Sequence, residues 1–129
     1  MKKLIIIFLA TLLLTACGLE KKKYQETVYM NITAEQAKEI MDQETGYIIL
    51  DVRRQDEFAQ GHIPGAVLLP LDDVKDKAYE MLPDKDQLIL VYCRSGRRSK
   101  EASEILVELG YTNIREFGGI LDWPYEVER

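Results

Sequence analysis

The residues best suited to chemistry lie in the segment Cys93-Arg94-Ser95-Gly96-Arg97-Arg98, which follows an apolar run and precedes a helical pattern. Nucleophilic cysteines react as thiolates and lie near cations or helix N-termini. Backbone N–H groups in such a loop can converge on an anion, and the helix that begins near Arg98 or Ser99 adds the positive end of its dipole. We therefore expect Cys93 to ionise more readily than a free cysteine and to act as a nucleophile. The alternative is a buried structural cysteine beside a solvated arginine cluster.

The other cysteine, Cys17, ends an N-terminal segment of a different kind. Lys2 and Lys3 precede an uncharged run, 4–16, which is shorter than the roughly 20 residues of a membrane-spanning helix and is typical of a secretory signal. Leu14-Thr15-Ala16-Cys17 resembles the lipobox of bacterial lipoproteins. The resemblance implies cleavage before Cys17, lipidation of its thiol and an extracytoplasmic position, anchored by lipid to a bacterial membrane. An uncleaved N-terminal anchor is the alternative.

These features divide the chain into three predicted parts. Residues 1–16 form a lipoprotein signal peptide, 17–28 a lipidated cysteine and polar tether, and 29–129 a single domain. Because lipidation consumes Cys17, Cys93 remains as the only thiol. An intramolecular disulfide and a C-x-x-C redox pair are then excluded.

Apolar strands that alternate with amphipathic helical patterns must position the cysteine loop. Tyr47–Asp51 and Leu88–Tyr92 are continuous apolar runs, typical of strands buried on both faces. Shorter strands are expected at Thr27–Ile32, Ala66–Leu68 and 113–117, and helices at 33–46, 53–58, 71–82 and from Arg98 to Gly110. This order predicts an α/β domain around a mostly parallel sheet. Ligands of such sheets bind beyond the carboxyl ends of strands, and Cys93 lies at one of these ends.

Three stretches together carry a family resemblance. CRSGRRS resembles the active-site loop of rhodanese-like sulfurtransferases, and ILDVRRQDEFAQGHIPGAVLLP resembles the first conserved block of that family. VYCRSGRRSKEASEILVELGYTNIREFGGILDWPYE resembles its catalytic half, including the glycine pair and the late tryptophan. The resemblance extends from Tyr29 to Val127. It implies the rhodanese fold, a five-stranded mostly parallel sheet flanked by helices, present as one copy.

The resemblance also implies an activity and a site. Cys93 would take the outer sulfur of thiosulfate or a related anionic donor as a persulfide and pass it to a cyanide or thiol acceptor, a covalent mechanism in two steps. Loop N–H groups would stabilise the sulfur anion, and the arginines would bind the donor. The implied substrate-binding residues are Arg94, Ser95, Gly96, Arg97, Arg98 and Ser99. A sulfur carrier, or a sensing or partner-binding module at the membrane surface, is the alternative function.

The length of the loop disfavours phosphatase and arsenate-reductase chemistry. Cysteine phosphatases need a larger ring, and their phosphate-binding arginine would fall at position 99, which is Ser99. Four residues separate Cys93 from Arg98, and the smaller ring fits a sulfur atom better than a phosphate group. Disulfide reduction or thiol peroxidase chemistry would need a resolving thiol from outside the chain.

Other residues carry weaker signals. His62 is the only histidine, and we interpret it as support for a turn rather than as a base. Asp51 and Arg53 are candidates for either a supporting role at the site or a structural ion pair, and Trp123 is expected to close the domain. The sequence has no Cys/His cluster and no phosphate-loop pattern, so we expect no metal and no cofactor. The net charge of −5 argues against nucleic-acid binding, and we expect a monomer.

Overall fold

The computed structural model describes residues 28–129, so the predicted signal peptide, Cys17 and nearly all of the predicted tether lie outside the described residues. The strands are β1 (Met30–Asn31), β2 (Ile48–Asp51), β3 (Val67–Leu68), β4 (Ile89–Cys93) and β5 (Ile114–Gly119). The helices are α1 (Ala34–Gln43), α2 (Gln55–Gln60), α3 (Leu71–Met81), α4 (Arg97–Glu108) and a final 3-10 turn (Ile120–Asp122). Within this range, no helix has the length and apolar character required to span a membrane.

The five strands form one sheet in the order β1-β5-β4-β2-β3, and each neighbouring pair is parallel. This arrangement confirms the predicted α/β fold. The central strand β4 is buried along its whole length, as its uninterrupted apolar sequence requires. Cys93 therefore ends the innermost strand, at the carboxyl edge of the sheet.

Each face of the sheet has its own apolar core. On one face, α3 and α4 pack through Val74, Ala78, Ala102 and Leu106. On the other face, α1 and the chain after β5 cover alternate residues of the same strands, among them Leu90, Tyr92 and Phe117. Each fully buried large apolar side chain stabilises the fold by about 1.5 to 3 kcal/mol. The side chain of Cys93 belongs to the α3 and α4 face.

Several element boundaries differ from the sequence prediction by one to three residues, among them boundaries of α1, α2 and β5. The capping box at the start of α1 is confirmed, but the helix ends at Gln43 rather than near Gly46. Helix α2 begins at Gln55 rather than at position 53, because the Asp51 carboxylate binds both the backbone and the guanidinium of Arg53. Strand β5 continues to Gly119 and contains a register shift opposite Tyr92.

Candidate active site

The loop after β4 turns the chain directly into α4. Gly96 has a φ of +109°, a left-handed conformation that side chains resist, and it directly precedes the first residue of α4. In this conformation the Gly96 N–H donates a hydrogen bond of 3.0 Å to Cys93 Sγ. The first N–H groups of a helix have no partner within the helix, and the positive end of the α4 dipole lies at the same place. The cysteine thus lies at a site built to stabilise negative charge.

The glycine pair after Phe117 lets the cysteine loop lie against β5. A Cβ atom at Gly119 would collide with the carbonyl group of Arg94 and would lie 2.6 Å from the Ser95 nitrogen. The Arg94 carbonyl also accepts a hydrogen bond from Leu121 N at 3.2 Å. Gly119 is therefore needed for the close approach of two backbones, and that approach fixes the height of the loop above the sheet.

Cys93 is 1% exposed, and the Ser99 side chain beside its sulfur links it to Glu116. The Cys93 thiol donates to Ser99 Oγ at 3.4 Å, and Ser99 Oγ donates to Glu116 Oε1 at 2.7 Å. Glu116 lies on β5, is 2% exposed and also accepts from Gly118 N at 2.8 Å. Ser99 was among the predicted site residues, but Glu116 was not. The only signal for it in the sequence is a carboxylate inside an otherwise buried strand.

The three loop arginines are in three different situations. Arg98 forms a bidentate ion pair with Glu57 of α2, with N–O distances of 2.7 and 2.9 Å. This pair lowers the pKa of Glu57 to about 2 and raises that of Arg98, to which the Cys93 charge adds a smaller contribution. Arg97 is exposed and lies 3.7 Å from Glu101. Within residues 28–129, Arg94 forms no ion pair.

Asp51 and Arg53 form a closed buried cluster with Tyr92. The guanidinium of Arg53 donates to both Asp51 oxygens and, at 2.7 Å, to the carbonyl of Gly61. Tyr92 Oη donates to Asp51 Oδ2 at 2.6 Å and accepts from Ile63 N at 3.1 Å. Burial raises the pKa of Tyr92 well above its ordinary value, and the negative charge of Asp51 adds to this effect. These contacts join the end of β2 to β4 and to the turn after α2.

His62 and Trp123 have structural partners. The His62 ring stacks on Phe58 at 3.8 Å, its Nδ1 lies 3.0 Å from the Phe58 carbonyl, and its backbone pairs with Glu128. Trp123 packs on Phe117 and Tyr125, and its Nε1 donates to the Glu126 carbonyl. The contacts of His62 are consistent with support of a turn. In the described part of the chain, no three His, Cys, Asp or Glu side chains are grouped so that they could hold a metal.

Among the described residues, two cavities are lined in part by arginines of the cysteine loop. One, of about 420 Å³, combines Arg94 and Arg53 with the apolar side chains of Leu121, Trp123 and Val127. The other, of about 350 Å³, contains Arg53, Arg97 and Arg98. A larger groove of about 480 Å³ lies between α1 and Trp123 but includes no residue of the cysteine loop. Each cavity also includes carboxylates, Glu57 in the larger and Asp72 and Glu101 in the smaller, and Cys93 lines neither of them.

Comparisons with known proteins agree with this geometry. The family model described as Rhodanese-like domain matches residues 33–125. "Thiosulfate sulfurtransferase PspE" of Escherichia coli is 42% identical over 73 residues, which cover 57% of this chain and 70% of that protein. "Putative thiosulfate sulfurtransferase, mitochondrial" of Schizosaccharomyces pombe is 32% identical over 95% of this chain and 99% of its own length. The solved structure "rhodanese with anions from E. coli" matches with a TM-score of 0.61 and 37% identity, covering 64% of this chain and 98% of that one.

Proposed function

The chain belongs to the rhodanese-like domain family, and from this we propose that it is a sulfurtransferase that carries sulfane sulfur on Cys93. The observation that supports the proposal most directly is the position of Cys93 Sγ. It lies at the carboxyl end of the central strand, 3.0 Å from the Gly96 N–H and at the start of α4. A sulfur in this place can bear negative charge as a thiolate and can hold a persulfide. The relatives described as thiosulfate sulfurtransferases support thiosulfate as the donor.

The reaction has two displacements at sulfur. The Cys93 thiolate attacks the outer sulfur of thiosulfate, the new S–S bond forms, and the old S–S bond breaks as sulfite leaves with its electron pair. The outer sulfur, now anionic, is held by the loop N–H groups. A nucleophile such as cyanide or a thiol then attacks this sulfur, and Cys93 leaves as a thiolate. Neither step requires a general base once the thiolate has formed.

The arginine side chains around the loop would bind the anionic donor. Arg94 is the best candidate for direct contact, because it has no ion pair within residues 28–129 and lines the larger of the two cavities beside the loop. Arg98 is held by Glu57, so its role is to set the local field and to brace the loop. Ser95, Gly96 and Ser99 would complete the cradle through their backbone N–H groups.

The test is production of thiocyanate from thiosulfate and cyanide. We expect the purified protein to form thiocyanate and Cys93→Ser to fall to the rate of the buffer, because serine is a far weaker nucleophile toward sulfur. Ser103→Ala is a suitable control, since Ser103 lies one turn further along α4 and its hydroxyl donates to the Ser99 carbonyl. Equal rates for wild type and Cys93→Ser would refute the enzyme proposal.

A sulfur carrier without useful turnover is the second candidate function. The burial of Cys93, at 1% exposure, favours it, because a buried sulfur restricts the acceptors that can reach it. Intact mass after exposure to thiosulfate separates the two functions. A carrier gains one sulfur atom that cyanide and small thiols do not remove, whereas the enzyme releases this sulfur to them.

We propose in addition that Cys17 anchors the protein outside the cytoplasm of a bacterium. The proposal rests on the basic start, the apolar run and the Leu14-Thr15-Ala16-Cys17 sequence. Two or three acyl chains suffice for stable membrane attachment. Fatty-acid labelling in bacterial cells tests it: wild type should incorporate the label and fractionate with membranes, and Cys17→Ser should do neither.

A further inference from the structure

Glu116 is a buried carboxylate with no cationic partner among residues 28–129. It is 2% exposed, and the ion pairs of this region engage Glu57, Glu101 and Asp51 instead. Burial of a charged group is costly unless hydrogen bonds compensate it. Its only donors in the described chain are the Ser99 hydroxyl and the Gly118 N–H, and both reach the same oxygen, Oε1. The Ser99 hydroxyl is thus important to the ionised form of Glu116.

The Ser99 hydroxyl has one hydrogen and several neighbours that can accept it. Glu116 Oε1 lies at 2.7 Å, the Gly96 carbonyl at 3.0 Å and the Gly118 carbonyl at 3.3 Å. The nearest acceptor is the carboxylate oxygen, and the other two are backbone carbonyls at longer distances, so the hydrogen goes to Glu116. The oxygen of Ser99 is then left to accept from the Cys93 thiol at 3.4 Å. This arrangement suits Cys93 with its proton on.

The Cys93 thiolate requires the opposite arrangement. A thiolate is an acceptor, and it would draw the Ser99 hydrogen away from Glu116. Since one hydrogen cannot serve two anions, the thiolate and the carboxylate compete for it. We propose that Glu116 is a positioning residue that restrains the ionisation of Cys93 by holding the Ser99 hydroxyl, an inference that rests on the proposed role of Cys93 as the nucleophile.

Ionisation of Cys93 requires neither an oxidant nor a reductant. On ionisation the S–H bond of Cys93 breaks, its electron pair stays on sulfur, and the proton passes to water or a buffer base. The Ser99 hydroxyl rotates from Glu116 to the sulfur and breaks no covalent bond. When Sγ becomes the neutral inner sulfur of the persulfide, the hydroxyl returns to Glu116. The hydroxyl therefore bonds Glu116 whenever Sγ is neutral, and in the resting protein it favours the less reactive thiol.

Other charged and titratable groups face this cluster. Arg98, on the same helix as Ser99, favours the thiolate, and the Gly96 N–H does so from the loop. Tyr29, next to β1, faces Glu116 and Glu104; burial raises its pKa first, and these two carboxylates raise it further. Glu116 disfavours the Cys93 thiolate, and it does so by accepting the hydrogen of the Ser99 hydroxyl.

The experiment measures alkylation of Cys93 by iodoacetamide as a function of pH, with the full chain carrying Cys17→Ser so that Cys93 is the only thiol. Glu116→Gln replaces the carboxylate by a neutral amide of the same shape, which is a weaker acceptor for Ser99. We expect alkylation at pH 6 to become about tenfold faster and the pH profile to move down by about one unit. Glu104→Gln, which removes a carboxylate that does not contact Ser99, should change the rate less than about twofold. An unchanged profile in Glu116→Gln would overturn the proposal.

A double-mutant cycle distinguishes competition for the hydroxyl from simple charge repulsion. In a Ser99→Ala background, Glu116→Gln should change the alkylation rate less than about twofold, since the shared hydroxyl is gone. If the full acceleration persists in that background, repulsion through space explains it and the proposal is wrong. Should Glu116→Gln not fold, Glu116→Asp keeps the charge but draws it away from Ser99; faster alkylation supports the proposal, and no acceleration overturns it. Alkylation needs no sulfur donor, so these results remain interpretable even if thiocyanate is never formed.

Discussion

Two buried polar clusters lie at the carboxyl edge of the same sheet, and they differ in how completely their groups are bonded. In the cluster of Asp51, Arg53 and Tyr92, charges balance, and both oxygens of the Asp51 carboxylate accept hydrogen bonds from the Arg53 guanidinium or the Tyr92 hydroxyl. In the cluster of Cys93, Ser99 and Glu116, the single Ser99 hydroxyl hydrogen goes to Glu116, and the Ser99 oxygen accepts from the Cys93 thiol, which would compete for that hydrogen once ionised. The first cluster has one low-energy arrangement, whereas the second has two. We infer that a closed network stabilises the fold and an underbonded one is available for chemistry.

The largest expected effect comes from opening the closed cluster. Asp51→Asn removes the charge that neutralises buried Arg53, and loss of one partner of a buried pair costs about 3 to 5 kcal/mol. Urea unfolding should show this loss in the free energy of unfolding, while the pH profile of Cys93 alkylation in the folded protein stays in place. Asp56→Asn, at the exposed pair with Arg54, should leave stability unchanged. If Asp51→Asn keeps the stability of wild type but shifts the pH profile of alkylation, the Asp51 cluster governs reactivity rather than stability, and our interpretation is wrong.

The next effect tests whether the position of the loop, rather than its composition, makes the second cluster reactive. Gly119→Ala places a methyl group against the Arg94 carbonyl and must lift the loop. A displacement on the order of 1 Å near a reacting group lowers the rate about a hundredfold. Thiocyanate formation measures it. Gly46→Ala is the control: Gly46 also has a positive φ but has open space around it far from the loop, so it should reduce stability without reducing turnover per folded molecule. Normal turnover in Gly119→Ala would contradict this interpretation.

A third effect concerns the ion pair that lies between the clusters. The pKa of Glu57 is lowered from 4.5 to about 2 in the folded protein, chiefly by its hydrogen bonds to Arg98. The stabilisation that the Glu57–Arg98 ion pair gives the fold is therefore complete above about pH 4.5, and it is lost as the pH falls toward 2. At pH 7 we expect Glu57→Gln to lower the free energy of unfolding by about 2 kcal/mol, and we expect the two proteins to converge near pH 2. Unfolding in urea across this range measures it, and Glu101→Gln should follow wild type throughout.

The smallest effect compares two exposed arginines of the same loop. Arg94→Ala should raise the KM for thiosulfate about fivefold, on the order of 1 kcal/mol, because it removes a cation with no ion pair in residues 28–129 from the larger cavity beside the loop. Arg97→Ala should change the KM less than about twofold, since Glu101 already offsets that charge. Steady-state kinetics at fixed ionic strength distinguishes them. If Arg97→Ala raises the KM more than Arg94→Ala does, the donor binds in the smaller cavity, which contains Arg97.

The local parts of the site could be predicted from the sequence. An apolar run that ends at Cys93, a glycine three residues later and an amphipathic helix after it define strand, loop and helix by short-range rules. The order of strands and helices likewise predicted the parallel sheet. The start of α4 fell at Arg97, within two residues of the expected position.

The pairings that give these parts their roles could not be predicted in the same way. Glu57 meets Arg98 across 41 residues, and Glu116 meets Ser99 across 17. Local patterns are not informative about which distant carboxylate faces which cation, because this depends on the register of strands and the packing of helices. From the sequence, all three loop arginines were candidates to bind the donor, whereas the structure shows one tightly paired, one loosely paired and one without an ion pair in the described chain.

The register shift in β5 has a consequence for any attempt to regularise the sheet. Between the pairs Val91–Glu116 and Cys93–Gly119, β4 has one residue and β5 has two. A deletion of Phe117 would restore an even ladder, and a repair of this kind would be attractive to a designer. It would also rotate the following glycine out of place beneath the loop and leave Glu116 without the backbone donor of Gly118. The irregularity in β5 therefore keeps Gly118 and Gly119 in the positions that the loop and Glu116 require, and a regular ladder would lose both.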